Sequence, residues 1–182
     1  MLLRGVNIGG HRVFRPSSLP AQLPGLGLIN IGAAGTFVVR RRIGQAALRK
    51  ALAARLPFNT LIVIRRGDQI RALLAQNVWA GQPLRPDTTR FVSVLSRRPT
   101  VAPLLPMEFR HGRRWLVKLV RQVDGFVVGL YRRHMRTIEC LGRMDRVFGA
   151  PVTSRSWSTF QLIAKALDEA SGRATTAPGR VR

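Results

Sequence analysis

The first eighty residues read as an ordered run of short elements, and that order constrains the fold more than any other feature of the chain. LLRGV, 2–6, reads as a strand. PSSLPAQLPGL, 16–26, carries Leu19, Leu23 and Leu26 at helical spacing behind Ser17 or Ser18 as a cap. Pro24 cannot sit in a helix interior, so this helix is predicted to be short or broken. LGLINIGA predicts a strand over 28–32 and GTFVVRR another over 35–41, with a Gly-rich turn between them. IGQAALRKALAARL, 43–56, places Ile43, Ala47, Leu48, Ala51 and Leu52 on one stripe and predicts the clearest helix. NTLIVIRR, 59–66, is a strand, and GDQIRALLAQNVWA is a helix capped by Asp68 and buried through Ile70, Leu73, Leu74 and Val78. Strand, helix, strand, strand, helix, strand is the split βαβ order of a ferredoxin-like half, an antiparallel sheet with helices on one face. Thr60-Leu61-Ile62-Val63-Ile64 is apolar on both sides, so the open face of that sheet needs a cover. The second half of the chain is the piece available to supply it.

AGQPLRPDTT, 80–89, is rich in Pro and Gly and reads as a linker. The expected division is a half over 1–80, a linker over 81–89, a second α+β half over 90–170 and a flexible basic tail over 171–182. RFVSVLSR, 90–97, predicts a strand, and PTVAPLLPMEF holds too many prolines for a long helix. RRWLVKLV and GFVVGLYRR pair as a hairpin around Gln122–Gly125, where Asp124-Gly125 is the turn cue. A helix over 137–148 is weakened by Gly142. SWSTFQLIAKALDEA, 156–170, is a helix with Ser156 or Ser158 as N-cap and Phe160, Ile163 and Leu167 toward the core.

The charge is the compositional outlier. Lys and Arg number 31 against 8 Asp and Glu, a formal charge of +23. Only Lys50, Lys118 and Lys165 are lysines; the rest are arginines. GC-rich coding favours Arg over Lys but does not explain the shortage of acids. Residues 1–67 contain no Asp or Glu, and the first acid is Asp68. Such a surface repels itself and attracts polyanions: nucleic acid, anionic lipid or phosphorylated ligands. The lone Cys140 excludes an internal disulfide and reads as a buried, inert thiol. No apolar run approaches the roughly 18 residues of a membrane span. The N-terminus lacks the layout of a signal peptide, so a cytoplasmic protein is expected.

The acids (Asp68, Asp87, Glu108, Asp124, Glu139, Asp145, Asp168 and Glu169) offer no pair spaced for acid–base work beyond the neighbours 168 and 169. His11, His111 and His134 are scattered and stand at no ligand spacing to Cys140. No metal site, no cofactor and no catalytic residue can be named, and whether the chain is an enzyme stays open. Base stacking of the RRM type is excluded, because strand one has no aromatic residue and strand three only Phe37.

LLRGVNIGGHRVF spaces Gly5, Gly9 and Gly10 as G-x-x-x-G-G, which is neither a P-loop nor a dinucleotide fingerprint. Two readings stand: a backbone cradle for an anion, helped by Arg4 or Arg12, or a tight turn that needs positive φ. The stretch resembles the opening LLRGxNVGG of a bacterial, uncharacterised family, the domain of unknown function 1697. Ala34-Gly35-Thr36-Phe37-Val38-Val39 falls where that family has Ser-Gly-Asn before a strand. Gly149 to Thr159 is similar to its closing Gly…Thr-x-Arg-Asn-Trp-x-Thr. The resemblance implies two α-β plait (ferredoxin-like) halves packed together, in line with the order above, and implies no activity. The departures are Ala34, Thr36 and Ser156 in place of the motif's Ser, Asn and Asn, an unrecognisable Gly…Ser-Lys-Leu segment around Thr137–Glu139, and a clipped first strand.

The arginines give the candidate site. Arg40–Arg42, Arg65-Arg66, Arg97-Arg98 and Arg132-Arg133 all close predicted strands. With strands one and three taken as parallel, Gly9, Gly10 and Arg40–Arg42 share one edge and Arg65-Arg66 lie at the opposite one. Arg155 and Trp157 flank the start of the last helix, where an anion could sit. The expected anion-binding set is Arg4, Asn7, Gly9, Gly10, Arg40, Arg41, Arg42, Arg155 and Trp157. The expected partner is nucleic acid or a phosphorylated ligand. The alternatives are a small-molecule protein or enzyme built on the same glycine turn, and a degenerate family member without activity.

Overall fold

The computed structural model of the chain describes residues 1–6 and 14–172. It is a mixed α+β structure with antiparallel sheets and several helices. In order, β1 is Leu2–Leu3, α1 Leu19–Gln22, β2 Leu28–Asn30, β3 Phe37–Val39, α2 Gln45–Ala53, β4 Ile62–Val63 and α3 Gly67–Ala75. Then come β5 Thr88–Leu95, β6 Met107–His111, β7 Arg114–Val123, β8 Phe126–Arg132, α4 Thr137–Gly142, α5 Met144–Phe148, β9 Val152–Ser156 and α6 Trp157–Gly172. Residues 171 and 172 of the expected tail therefore close α6, and 173–182 lie outside the described residues.

Local chemistry sets the boundaries. Pro24 splits the expected first helix into α1 and a 3-10 turn over Pro24–Leu26, with another 3-10 turn at Pro16–Ser18. α2 starts after Gly44, two residues inside its apolar stripe. Arg66, not Asp68, takes the N-cap position of α3, and its N–H donates to Gln69 Oε1 at 3.1 Å. The helix expected over 137–148 breaks at Gly142–Arg143 into α4 and α5. Ser156 caps α6, its Oγ accepting from the Thr159 N–H at 3.3 Å. Asp124 turns the β7–β8 hairpin in left-handed backbone, φ 48°.

β1 pairs antiparallel with β4, Leu2 opposite Val63 and Leu3 opposite Ile62. β2 pairs antiparallel with β3. One antiparallel bridge, Leu2 to Thr36, joins the two ladders, flanked by Leu3 N–H to Gly35 O at 2.8 Å and Phe37 N–H to Met1 O at 2.9 Å. Strands one and three thus run antiparallel, which corrects the parallel arrangement expected from the sequence. The second half is a five-stranded antiparallel sheet in the order β6-β7-β8-β5-β9. No helix separates β5 from β6 among the described residues, so this half lacks the helix–strand alternation of a plait. The prolines between them carry the chain across without a helix.

Alternation along the strands builds three cores. Leu3, Phe37 and Ile62 face α1 and α2 through Leu19, Leu48 and Leu52. Their neighbours Leu2, Val38 and Val63 face the other way, onto Ile70 and Leu73 of α3 and Phe160, Ile163 and Ala166 of α6. The same cluster takes in Val92 and Val94 of β5 and Phe126 and Val128 of β8. The far face of the large sheet, through Phe91, Leu95 and Val127, packs on Cys140, Met144 and Phe148. The expected cover on the first sheet therefore exists: α6 and the large sheet provide it, with α3 of the first half beside them. Each fully buried side chain of this middle layer contributes on the order of 1.5–3 kcal/mol by leaving water.

Candidate anion-binding edge

Two arginine clusters meet because of strand direction. β3 and β4 both run antiparallel to β1, so their C-terminal ends emerge at one edge. Arg40–Arg42 follow β3, Arg65-Arg66 follow β4, and both line a cavity of about 640 Å³. This overturns the expectation that Arg65-Arg66 lie opposite Arg40–Arg42. The cavity wall includes six arginines, 40, 41, 42, 65, 66 and 71, and one carboxylate, Asp68. Ile43, Ile64, Ile163 and Leu167 form part of its apolar floor.

These guanidinium groups are not equally available. Arg65 is half-buried, donates to Leu95 O and Ile64 O, and leans on the Phe126 ring at 5.9 Å. Burial lowers its pKa from the ordinary arginine value. Arg66 grips Asp68 through Nε to Oδ1 at 3.0 Å and Nη2 to Oδ2 at 2.9 Å. That hydrogen-bonded pair raises the pKa of Arg66 and lowers that of Asp68. Arg71 pairs with Asp168 at 2.9 Å. Arg40, Arg41 and Arg42 are exposed, and Arg41 donates to the Gly25 carbonyl at 3.3 Å.

Three of the other expected site residues, Arg155, Trp157 and Arg4, make their contacts within the fold. Arg155 spends all five N–H donors: Nε on Thr36 Oγ1 at 2.8 Å, Nη1 on Thr153 Oγ1 at 3.0 Å and Ser154 O at 2.7 Å, and Nη2 on Leu3 O and Ala34 O, both at 2.6 Å. Burial pulls its pKa down to about 10, which leaves it charged at neutral pH. A saturated guanidinium has no donor left for an external anion. Trp157 packs edge-on against Trp79, ring centroids 5.0 Å apart, within the middle core. Arg4 pairs with Asp145 at 2.6 Å, tying the end of β1 to α5. Asn7, Gly9 and Gly10 lie outside the described residues. The glycine turn is therefore left as the sequence leaves it, while Gly5 just before it does hold positive φ, 68°.

The three stretches that carry the family resemblance meet at Arg155. Leu3 belongs to the first, Ala34 and Thr36 to the second, and Thr153 and Ser154 to the third. Gly35 keeps the approach open: it sits at φ 69°, and a Cβ there would stand 3.0 Å from Leu3 Cβ. The sequence could place each motif but held no signal that they converge on one side chain.

Elsewhere, six of the eight acids form ion pairs with arginine or lysine. Cys140 is buried. Among the described residues there is no group of three or more His, Cys, Asp or Glu that could hold a metal ion, and no helix long and apolar enough to cross a membrane.

A family model described as "Protein of unknown function (DUF1697)" matches residues 1–114. The match takes in LLRGVNIGG and the Ala34–Val39 stretch and stops short of Gly149–Thr159. No curated protein and no solved structure matches the chain.

Proposed function

The chain belongs to the DUF1697 family of proteins of unknown function, and we propose that it binds phosphate-bearing polyanions, nucleic acid or a phosphorylated ligand, along the edge formed by Arg40, Arg41 and Arg42, with Arg66 and Arg71 beside them on Asp68 and Asp168. The observation that carries this reading is the convergence of two strand-end arginine clusters around one carboxylate that Arg66 already occupies. Guanidinium groups suit the task because they are always charged and grip phosphate oxygens in pairs. The acid-free stretch over residues 1–67 adds a long-range field that draws anions in. Arg4, Arg155 and Trp157 are dropped from the binding set.

A filter-binding titration of DNA and RNA across salt tests the reading. Phosphate binding weakens log-linearly with salt. The absence of any binding at low salt ends the idea. A second reading, a small phosphorylated metabolite in the cavity, is favoured by its volume of about 640 Å³, which suits a small-molecule site. Nucleotides and sugar phosphates that raise the melting temperature while nucleic acid does not would select it. The order β4-β1-β3-β2 with α1 and α2 on one face also supports reading the first half as an α-β plait, with 81–89 as the linker that follows it.

A further inference from the structure

A second basic surface lies far along the chain, where α4 meets the tip of the β6–β7 hairpin. Met135 and Ile138 stand 94% and 71% exposed there. Both are large apolar side chains, Met135 just before α4 and Ile138 in its first turn, where burying them against the protein would have been the default. Cations surround them. Arg133 and Arg136 flank Met135 in the chain, and Arg110 and Arg113 sit on the hairpin tip, all exposed. The two segments touch: Arg136 Nη1 is 3.3 Å from His111 Nδ1, and the His111 and His134 rings are 5.7 Å apart. The acids on these segments already have partners, Glu139 on Arg143 at 2.8 Å and Glu108 on Arg110 and Lys118. Beside the tips opens a recess of about 400 Å³ lined by Phe91, Tyr131, Leu141 and Ile138, with Arg133 and His134 among its walls.

We infer that this face docks on an anionic phospholipid surface, with Met135 and Ile138 entering the acyl boundary and the surrounding arginines on the headgroup phosphates. The charge sign selects an anionic partner. The apolar tips select one with a hydrocarbon layer directly beneath its charge, which is the layered chemistry of a bilayer interface. Nucleic acid fits less well, because its phosphates surround bases that call for aromatic stacking or base-edge hydrogen bonds, and Met and Ile supply neither. This surface is separate from the Arg40–Arg42 edge and does not depend on the function proposed for it.

The test is co-sedimentation of the full chain with phosphatidylcholine vesicles, with and without phosphatidylglycerol, across salt. A chain of this charge adheres to any anionic vesicle at low salt, so the informative part is what survives when salt screens the charge. The parent chain is expected to keep a salt-resistant fraction on the anionic vesicles. The double variant Met135→Ser/Ile138→Ser is expected to lower that partitioning about a hundredfold, roughly tenfold for each side chain withdrawn from the acyl layer. Leu162→Ser, an equally simple change at an exposed leucine of α6, should change nothing. Because both tips are exposed, the double variant keeps its core, which circular dichroism checks. Met135→Trp gives a second readout: its emission, less that of the parent's Trp79, Trp115 and Trp157, shifts to the blue when vesicles are added. Equal salt-resistant binding by the double variant and its parent, no spectral shift, or binding that prefers RNA over vesicles through these same tips overturns the inference.

Discussion

Arg155→Met removes the guanidinium while keeping an apolar stem of similar length. Five hydrogen bonds go with it, three to the carbonyls of Leu3, Ala34 and Ser154 and two to the hydroxyls of Thr36 and Thr153. Hydrogen bonds from a charged group contribute about 1.5–3 kcal/mol each in favourable cases, so a simple sum would overshoot. The opposing term is the cost of holding a cation out of water, visible here in the lowered pKa of about 10, and the variant recovers it. Each buried acceptor left without a donor costs about 1–3 kcal/mol, and with the recovered desolvation set against several such acceptors at Leu3, Thr36 and Thr153 the net loss is expected to be about 3–5 kcal/mol. For a chain of this length that corresponds to a fall in melting temperature of roughly 6–20 °C.

Thermal and urea unfolding of parent and variant measure this directly. A double-mutant cycle with Thr36→Val isolates one spoke of the network, and an interaction energy of about 0.5–3 kcal/mol is expected. Arg155→Lys is the sharper probe. Its ammonium keeps the charge but has three donors in place of five and no planar fork, so it should fall between the parent and the methionine variant. The reasoning is refuted by an Arg155→Met protein that melts with its parent yet loses polyanion affinity. That outcome would return Arg155 to the binding set and make its intramolecular hydrogen bonds incidental.

Replacing Arg40, Arg41 and Arg42 together by Gln should weaken nucleic-acid binding at low salt and reduce the slope of log affinity against log salt by about 2–3, with no loss of melting temperature, since all three are exposed. Asp68→Asn frees Arg66 and adds a positive charge at the edge, so affinity in the same assay should rise. Acid should act in the same direction: the Asp68 pKa is lowered by Arg66, so its carboxylate is retained at neutral pH and is lost only as pH falls through that depressed value. Ser156→Ala removes the cap of α6 and should cost about 1 kcal/mol in urea unfolding.

The elements with strong periodicity were legible in the sequence. α2 and α3 fall inside the predicted spans, α6 runs two residues past its own, and the β7–β8 hairpin turns where Asp124-Gly125 predicts. β6 and β9 were not legible. Met107–His111 has one buried residue in five, and Val152–Ser156 mixes hydroxyls with an arginine. Their strand character comes from long-range pairing with β7 and β5, which no local pattern announces. β1, β3 and β4 are shorter than expected.

Strand direction mattered more to the candidate site than strand position did. Taking strands one and three as parallel placed Gly9 and Gly10 beside Arg40–Arg42 and sent Arg65-Arg66 away. The Leu2–Thr36 bridge reverses the second statement, bringing Arg65-Arg66 to the edge of Arg40–Arg42; Gly9 and Gly10 lie outside the described residues. One register fact therefore gives Arg40–Arg42 new neighbours, Arg65-Arg66, though no residue changes its secondary structure. It also explains why charge count alone was a poor guide to availability. Arg65 and Arg155 are as cationic in sequence as Arg42, but they lie where a second segment crosses, and there a guanidinium is worth more as a clamp on backbone carbonyls than as a ligand group. Arginines that stay free are those at strand ends with no segment packed above them. By that criterion Arg40 and Arg42 stay available while Arg4 does not, and swapping Asp145→Asn should release Arg4 toward solvent, at a stability cost measurable by urea unfolding, without raising affinity at the Arg40–Arg42 edge.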